Sequence, residues 1–182
     1  TLMTTNNGVH LHVTYWGSFT CHLLGYAYMS LFERQGVRLP ISLEILEKIP
    51  EVTLDGNTYQ AIYTGIASKS LRTRDYRNHF VDNDASRSTL RKSIGSLFGY
   101  DLIPRKEGDL KHKKFKPADE EKLTEWMMSN LLLAFVENAA PKPLEEKLIA
   151  ELNPPLNLDK NTNMVNKEFR ALLSKLRCRP VI

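Results

Sequence analysis

The stretch Glu51-Val52-Thr53-Leu54-Asp55-Gly56-Asn57-Thr58-Tyr59-Gln60-Ala61-Ile62-Tyr63-Thr64-Gly65 decides the architecture. Two runs rich in β-branched and aromatic residues flank Asp55-Gly56. A two-residue reversal between strands needs positive φ, which glycine adopts without strain and aspartate tolerates. The segment therefore reads as a β-hairpin. Alternation puts Tyr59, Ala61 and Tyr63 on one face of its second strand, and Gln60, Ile62 and Thr64 on the other. Gly65 ends the strand.

Upstream, Val9, Leu11, Val13 and Tyr15 alternate with His10, His12, Thr14 and Trp16, the period of a half-buried strand. Ser18 is placed to cap a helix running to about Gln35, with Leu23, Leu24, Ala27, Leu31 and Phe32 at helical spacing. A short helix near Ser42 to Lys48 lies between Pro40 and Pro50. Downstream, a loop from Ser68 leads into a short basic helix ending near Phe80. Ser88 caps a helix carrying Leu90, Ile94 and Leu97, stopped by Gly99. Asp119 to Ser129 is a helix with acids in its first turn, as the helix dipole favours. Leu131 to Val136 is short and continuously apolar, a buried strand. Further helices run from Pro143 to Leu152, closed by Pro154-Pro155, and from Lys167 to Arg177 behind Asn166.

The order describes one mixed α/β domain of 182 residues, a length that supports a single core without cross-links. Two cysteines, Cys21 and Cys178, form no disulfide framework. No apolar run is long enough to cross a membrane, and the polar N-terminal segment lacks a signal layout. A cytoplasmic protein with no membrane partner is expected. With 25 Lys+Arg against 21 Asp+Glu the net charge is only +4, but its distribution is uneven. Twelve cations and six acids lie between Lys69 and Lys114. That segment is more positive than the whole chain, which favours a polyanionic partner.

Two constellations carry chemistry. The first is Tyr63-Thr64-Gly65 followed by Leu71-Arg72-Thr73-Arg74 and His79. The second is Leu144-Glu145-Glu146-Lys147-Leu148-Ile149 followed by Pro154-Pro155-Leu156-Asn157, with Glu145 and Asn157 twelve apart. Their order and spacing resemble the GIY-YIG nuclease superfamily: a Tyr-x-Gly strand end, a Leu-x-x-Arg segment, and a helix Glu about twelve residues before an Asn. Ser88-Thr89-Leu90-Arg91 resembles a Ser-x-Leu-Arg segment of bacterial members. The resemblance covers roughly residues 8 to 158. It implies an α/β (α+β) fold with a small central, largely antiparallel three-stranded sheet flanked by helices. The whole chain, 1–182, would be one such domain, with an insertion at about 18–54, a C-terminal helix at about 166–177 and no room for a separate targeting domain.

The chain departs from the family pattern in three places. Gly8-Val9-His10 is the nearest match to the first motif, with His10 where the family has tyrosine; Tyr15 is the alternative. The segment 18–54 separates the two motifs, where the family has a short turn. The family often places His or Tyr four residues after the arginine, whereas His79 is five after Arg74 and Tyr76 is four after Arg72.

The resemblance implies a divalent-metal-dependent endonuclease acting on DNA, with Tyr63, Arg74, His79, Glu145, Asn157 and His10 as its catalytic set. Glu145 would hold one Mg²⁺ or Mn²⁺, an ion that keeps several waters and takes one or two carboxylates. Such an ion neutralises the leaving oxygen. Arg74 would fork phosphate oxygens. His10 would act as general base, near neutral in its ordinary pKa. Lys69, Arg72, Arg77, Arg87, Arg91 and Lys92 would line a nucleic-acid groove. A catalytically impaired nucleic-acid-binding module on the same fold is the alternative. His10-x-His12 with Cys21-His22 offers four zinc-type donors, but the close ligand spacing of structural zinc is absent.

Overall fold

The computed structural model describes residues 2–5, 10–12, 25–33, 41–67, 78–109 and 111–178. In chain order these form β1 (Leu2–Thr5), β2 (His10–His12), β3 (Gly25–Glu33), α1 (Leu43–Leu46), β4 (Glu51–Leu54) and β5 (Asn57–Ala67). There follow α2 (Thr89–Leu97), β6 (Ile103–Pro104), β7 (Lys113–Lys114), α3 (Pro117–Asn130), β8 (Leu131–Asn138), α4 (Pro141–Leu152) and α5 (Lys167–Leu176). The fold is α/β with an antiparallel sheet, as expected. Among the described residues that sheet has six strands rather than three, in the order β2-β1-β4-β5-β3-β8. β6 and β7 pair separately as a short ribbon.

The hairpin forms as read. Leu54 pairs with Asn57, leaving Asp55 and Gly56 as the two-residue turn, and both have positive φ (50° and 80°). The expected helix from Ser18 to Gln35 does not form over its described part: residues 25–33 are β3, hydrogen-bonded to β5 on one side and β8 on the other. The physical reason is burial on both faces. Tyr26, Tyr28 and Phe32 join the core packed by α2, α3 and α5. Ala27, Met29 and Leu31 join a second core with Leu148 and Leu152 of α4. A strand apolar on both sides loses its period of two, and its apolar positions then mimic helical spacing.

One irregularity re-aims β5. Ser30 pairs with Tyr63 and Leu31 with Ala61, so Ile62 is a bulged extra residue. A bulge flips the alternation beyond it. Tyr59 and Ala61 therefore belong to the α4 side, whereas Ile62 and Tyr63 pack on the opposite side. The alternation read from sequence, with Tyr59, Ala61 and Tyr63 on one face, is corrected by this single residue.

β4 covers only the first part of β5, Asn57–Gln60. Part of the remaining edge is taken by the segment after α4. Asn153, in the left-handed conformation, ends α4, and Pro154-Pro155 prevent its continuation. Leu156 N–H then donates to the Ile62 carbonyl at 3.0 Å. Asn157 brackets Thr64: its Oδ1 accepts from Thr64 N–H at 2.8 Å, and its Nδ2 donates to the Thr64 carbonyl at 2.9 Å.

Candidate active site

The pairing of Tyr28 with Gly65 across β3 and β5 builds the floor of the site. Gly65 is required there by space. A Cβ on it would lie 2.5 Å from Cζ of Tyr28, whose phenol is laid across the glycine. Tyr28 donates to or accepts from His79 Nε2 at 2.9 Å, and His79 Nδ1 hydrogen-bonds Ser88 Oγ. The rings of Tyr28, Tyr63 and His79 form a triangle with centroids 5.8–6.3 Å apart. Tyr28 and His79 are buried, at 2% and 4% exposure. Tyr63 is half-buried and lines the adjoining cleft.

Ser88 has two duties. It caps α2 by accepting Arg91 N–H at 3.0 Å, and it meets the His79 ring. Arg91, also in the Ser-x-Leu-Arg segment, is fully buried at 0% exposure. Its Nη2 and Nε meet Glu120 Oε2 at 2.7 and 3.1 Å, and its Nη1 donates to the His79 carbonyl at 3.0 Å. Glu120 in turn accepts from the Ala85 and Phe115 amides at 2.8 and 3.1 Å. The expectation that Arg91 contacts nucleic acid is thereby overturned: an enclosed guanidinium cannot meet a phosphate, and here it supports the histidine. Charge counting treats every arginine as surface, because burial of one depends on a carboxylate 29 residues away.

The cleft runs beside β5 and has a volume of about 580 Å³. Tyr63 lies on its wall with Glu145 and Ile149 of α4, Asn157, Lys160, Lys92 of α2 and Arg177 at the end of α5. Glu145 is 9% exposed. Its Oε2 accepts from Lys160 Nζ at 2.7 Å, and that bond holds the Lys160 ammonium above the usual lysine range. Burial, with the Arg177 charge second, pulls the Lys92 ammonium below its ordinary range.

Four of the expected residues are thus brought to one place: Tyr63, Glu145, Asn157 and Lys92 line the cleft, and His79 stands behind Tyr63. Asn157 lies there as a brace, with its side-chain amide engaged at both ends by Thr64. Replacing it by alanine strands a buried strand amide and carbonyl, so a loss of about 1–3 kcal/mol in unfolding free energy is expected. Denaturant titration reads it; an unchanged midpoint would show that water takes over both bonds.

Arg87 is exposed and sits 3.7 Å from Asp84. Lys69, Arg72, Arg74 and Arg77 lie outside the described residues, as do Tyr15, Cys21 and His22. His10 is displaced from the site. Its strand β2 pairs with β1 at the far edge of the sheet. Three strand spacings separate it from β5, about 14 Å. Tyr28 lies beside Tyr63 and His79 instead, hidden from sequence reading because β3 reads as a helix. Lys160 and Arg177 join the same cleft. No local signal marks them, since both reach the cleft from elements remote from the hairpin.

Among the described residues no three His, Cys, Asp or Glu side chains cluster as metal ligands. Two carboxylates, Glu145 and Asp159, line the cleft; so small a donor set fits an ion that retains most of its waters and shares phosphate oxygens, as Mg²⁺ does. No described helix is long and apolar enough to cross a membrane.

A buried tyrosine–histidine pair thus stands behind a cleft tyrosine, with a helix carboxylate and several cations on the same cleft. The chain belongs to the GIY-YIG catalytic domain family, whose family model matches residues 28–179. The match begins at Tyr28, so His10 lies outside it. No curated protein and no solved structure matches the chain.

Proposed function

We propose that this domain is a divalent-metal-dependent endonuclease that hydrolyses phosphodiester bonds of DNA. The observation that carries this reading is the convergence of Tyr63, Glu145, Lys92, Lys160 and Arg177 on one cleft. A phosphodiester needs cations around its oxygens and a group that takes the proton of the attacking water. Of the two tyrosines, Tyr63 is the one on the cleft wall, so it meets the water or a phosphate oxygen. His79 stands edge-on behind Tyr63 and hydrogen-bonds Tyr28. Imidazole is the side chain whose ordinary pKa lies nearest neutrality, which suits His79 to accept a proton through the tyrosine pair. Ser88 and the Arg91 contact to the His79 carbonyl hold that ring in place.

Glu145 is the residue that would hold Mg²⁺ or Mn²⁺, which when bound supplies charge neutralisation at the leaving oxygen. Lys160 then has to give up Glu145 Oε2, and its ammonium becomes a further cation for the phosphate. Arg74 completes the phosphate-binding set in this proposal.

Nicking of supercoiled plasmid in Mg²⁺ or Mn²⁺ tests the reading. Wild type is expected to nick, and Glu145→Ala to lose at least about 10²-fold in rate, the scale of losing a group that stabilises developing charge. DNA binding without metal-dependent cleavage would instead establish the impaired binding module.

A further inference from the structure

The fold satisfies two buried guanidinium groups and leaves the Nε of a third arginine unmet. Arg91 is paired with Glu120 and bonded to two carbonyls. Arg170 donates to Asn153 Oδ1 and the Val165 carbonyl at 3.1 and 2.9 Å. Arg177 differs: its Nε is buried and has no hydrogen-bond partner. Arg177 is half-buried and on the cleft wall with Lys92. Among the described residues neither side chain forms an ion pair.

Two like charges held half-buried on one wall are unfavourable by desolvation and by mutual repulsion. Both effects pull the Lys92 ammonium below its ordinary range, and burial does the same to Arg177 against the opposing pull of Tyr63 and Asp159 on the same cleft. An anion placed between them reverses both terms. A tetrahedral phosphate offers acceptors for a guanidinium fork and an ammonium at once. The packing of α2 against α5 fixes the two groups before any ligand arrives.

We propose that Lys92 and Arg177 form a phosphate clamp that grips one backbone phosphodiester of the substrate strand on the α2–α5 wall, beside the Tyr63–Glu145 centre. The clamp rests on the nuclease reading, since that reading supplies the polynucleotide. It assigns α5 a part in binding that no motif marks.

The experiment measures the affinity of a fluorescent duplex by anisotropy over a range of salt, for wild type, Lys92→Gln, Arg177→Gln and the double variant. Plasmid nicking by the same proteins is followed in parallel. Glutamine keeps most of the packing volume, and circular dichroism confirms folding; Arg177→Lys serves if Arg177→Gln fails to fold, and is expected to retain the contact. Each phosphate contact contributes about 0.9 to the slope of log K against log salt. The double variant should flatten that slope by about 1, the loss of one phosphate contact. Each single variant should flatten it by less, because the remaining cation still meets the shared phosphate. Unchanged slopes with intact nicking by wild type overturn the clamp alone. A loss of about 1 in each single variant and about 2 in the double variant overturns a shared phosphate. A wild type that neither binds nor nicks DNA overturns the nuclease reading and the clamp with it.

Discussion

Replacing Arg91 by alanine is expected to lower the free energy of unfolding by about 3–5 kcal/mol, the cost of breaking a buried ion pair from one side. Its side chain is fully enclosed, and alanine leaves the Glu120 carboxylate, 1% exposed, without its guanidinium. The loss should appear as a shift in denaturation midpoint at constant m. An apolar double replacement of Arg91 and Glu120 often rescues such pairs elsewhere. Here it should not. Glu120 Oε1 also accepts the Ala85 and Phe115 amides, and each stranded amide costs about 1–3 kcal/mol. The single variant has a second consequence. Arg91 Nη1 holds the His79 carbonyl, so the surviving folded fraction should nick DNA more slowly per molecule. A variant of wild-type stability would show that solvent reaches this network.

Gly65→Ala is expected to damage stability and catalysis together. The new Cβ would sit 2.5 Å from Cζ and 2.9 Å from Cε2 of Tyr28, with the phenol oxygen nearer still. Tyr28 is packed within the core on its own face of β3, so the ring has no open space to enter. Overpacking of this kind costs about 1–3 kcal/mol. Any escape moves the Tyr28 hydroxyl away from His79 Nε2, now 2.9 Å distant. A displacement near 1 Å at a reacting constellation costs about 10²-fold in rate. Adding Tyr28→Phe should not restore stability, because the ring carbons still collide. Full nicking activity in Gly65→Ala would remove Tyr28 and His79 from the proposed machinery. The result also explains in physical terms why the Tyr-x-Gly strand end requires glycine. The need is room for a neighbouring strand's tyrosine, not a special backbone angle.

Much of the site was legible locally. Asp55-Gly56 is a turn whose strain only small or polar residues relieve, so the hairpin follows from it. The helices α3, α4 and α5 keep one solvated face, and their spacing survives in the residues. Glu145 and Asn157 sit on one helix and its exit, so their separation is also a local fact. The reading fails where burial is complete. β3 is covered on both faces, which erases its alternation and hides Tyr28 from a reading of periodicity. The bulge at Ile62 carries no composition signal, yet it decides which face Tyr63 occupies.

Local sequence therefore established the hairpin, most helices, the Tyr63-Thr64-Gly65 strand end and the Glu145–Asn157 spacing. Each depends on neighbours within a few residues or on a single amphipathic period. Tertiary packing alone settled that Tyr28, and not His10, lies beside Tyr63 and His79, that Arg91 supports His79 from within, and that Lys160 and Arg177 join the cleft. Those outcomes depend on partners between 12 and more than 50 residues away along the chain, such as Arg91 with His79, Lys160 with Glu145 and Tyr28 with His79. Hydrogen-bond geometry and desolvation choose such partners, and neither leaves a period in the sequence.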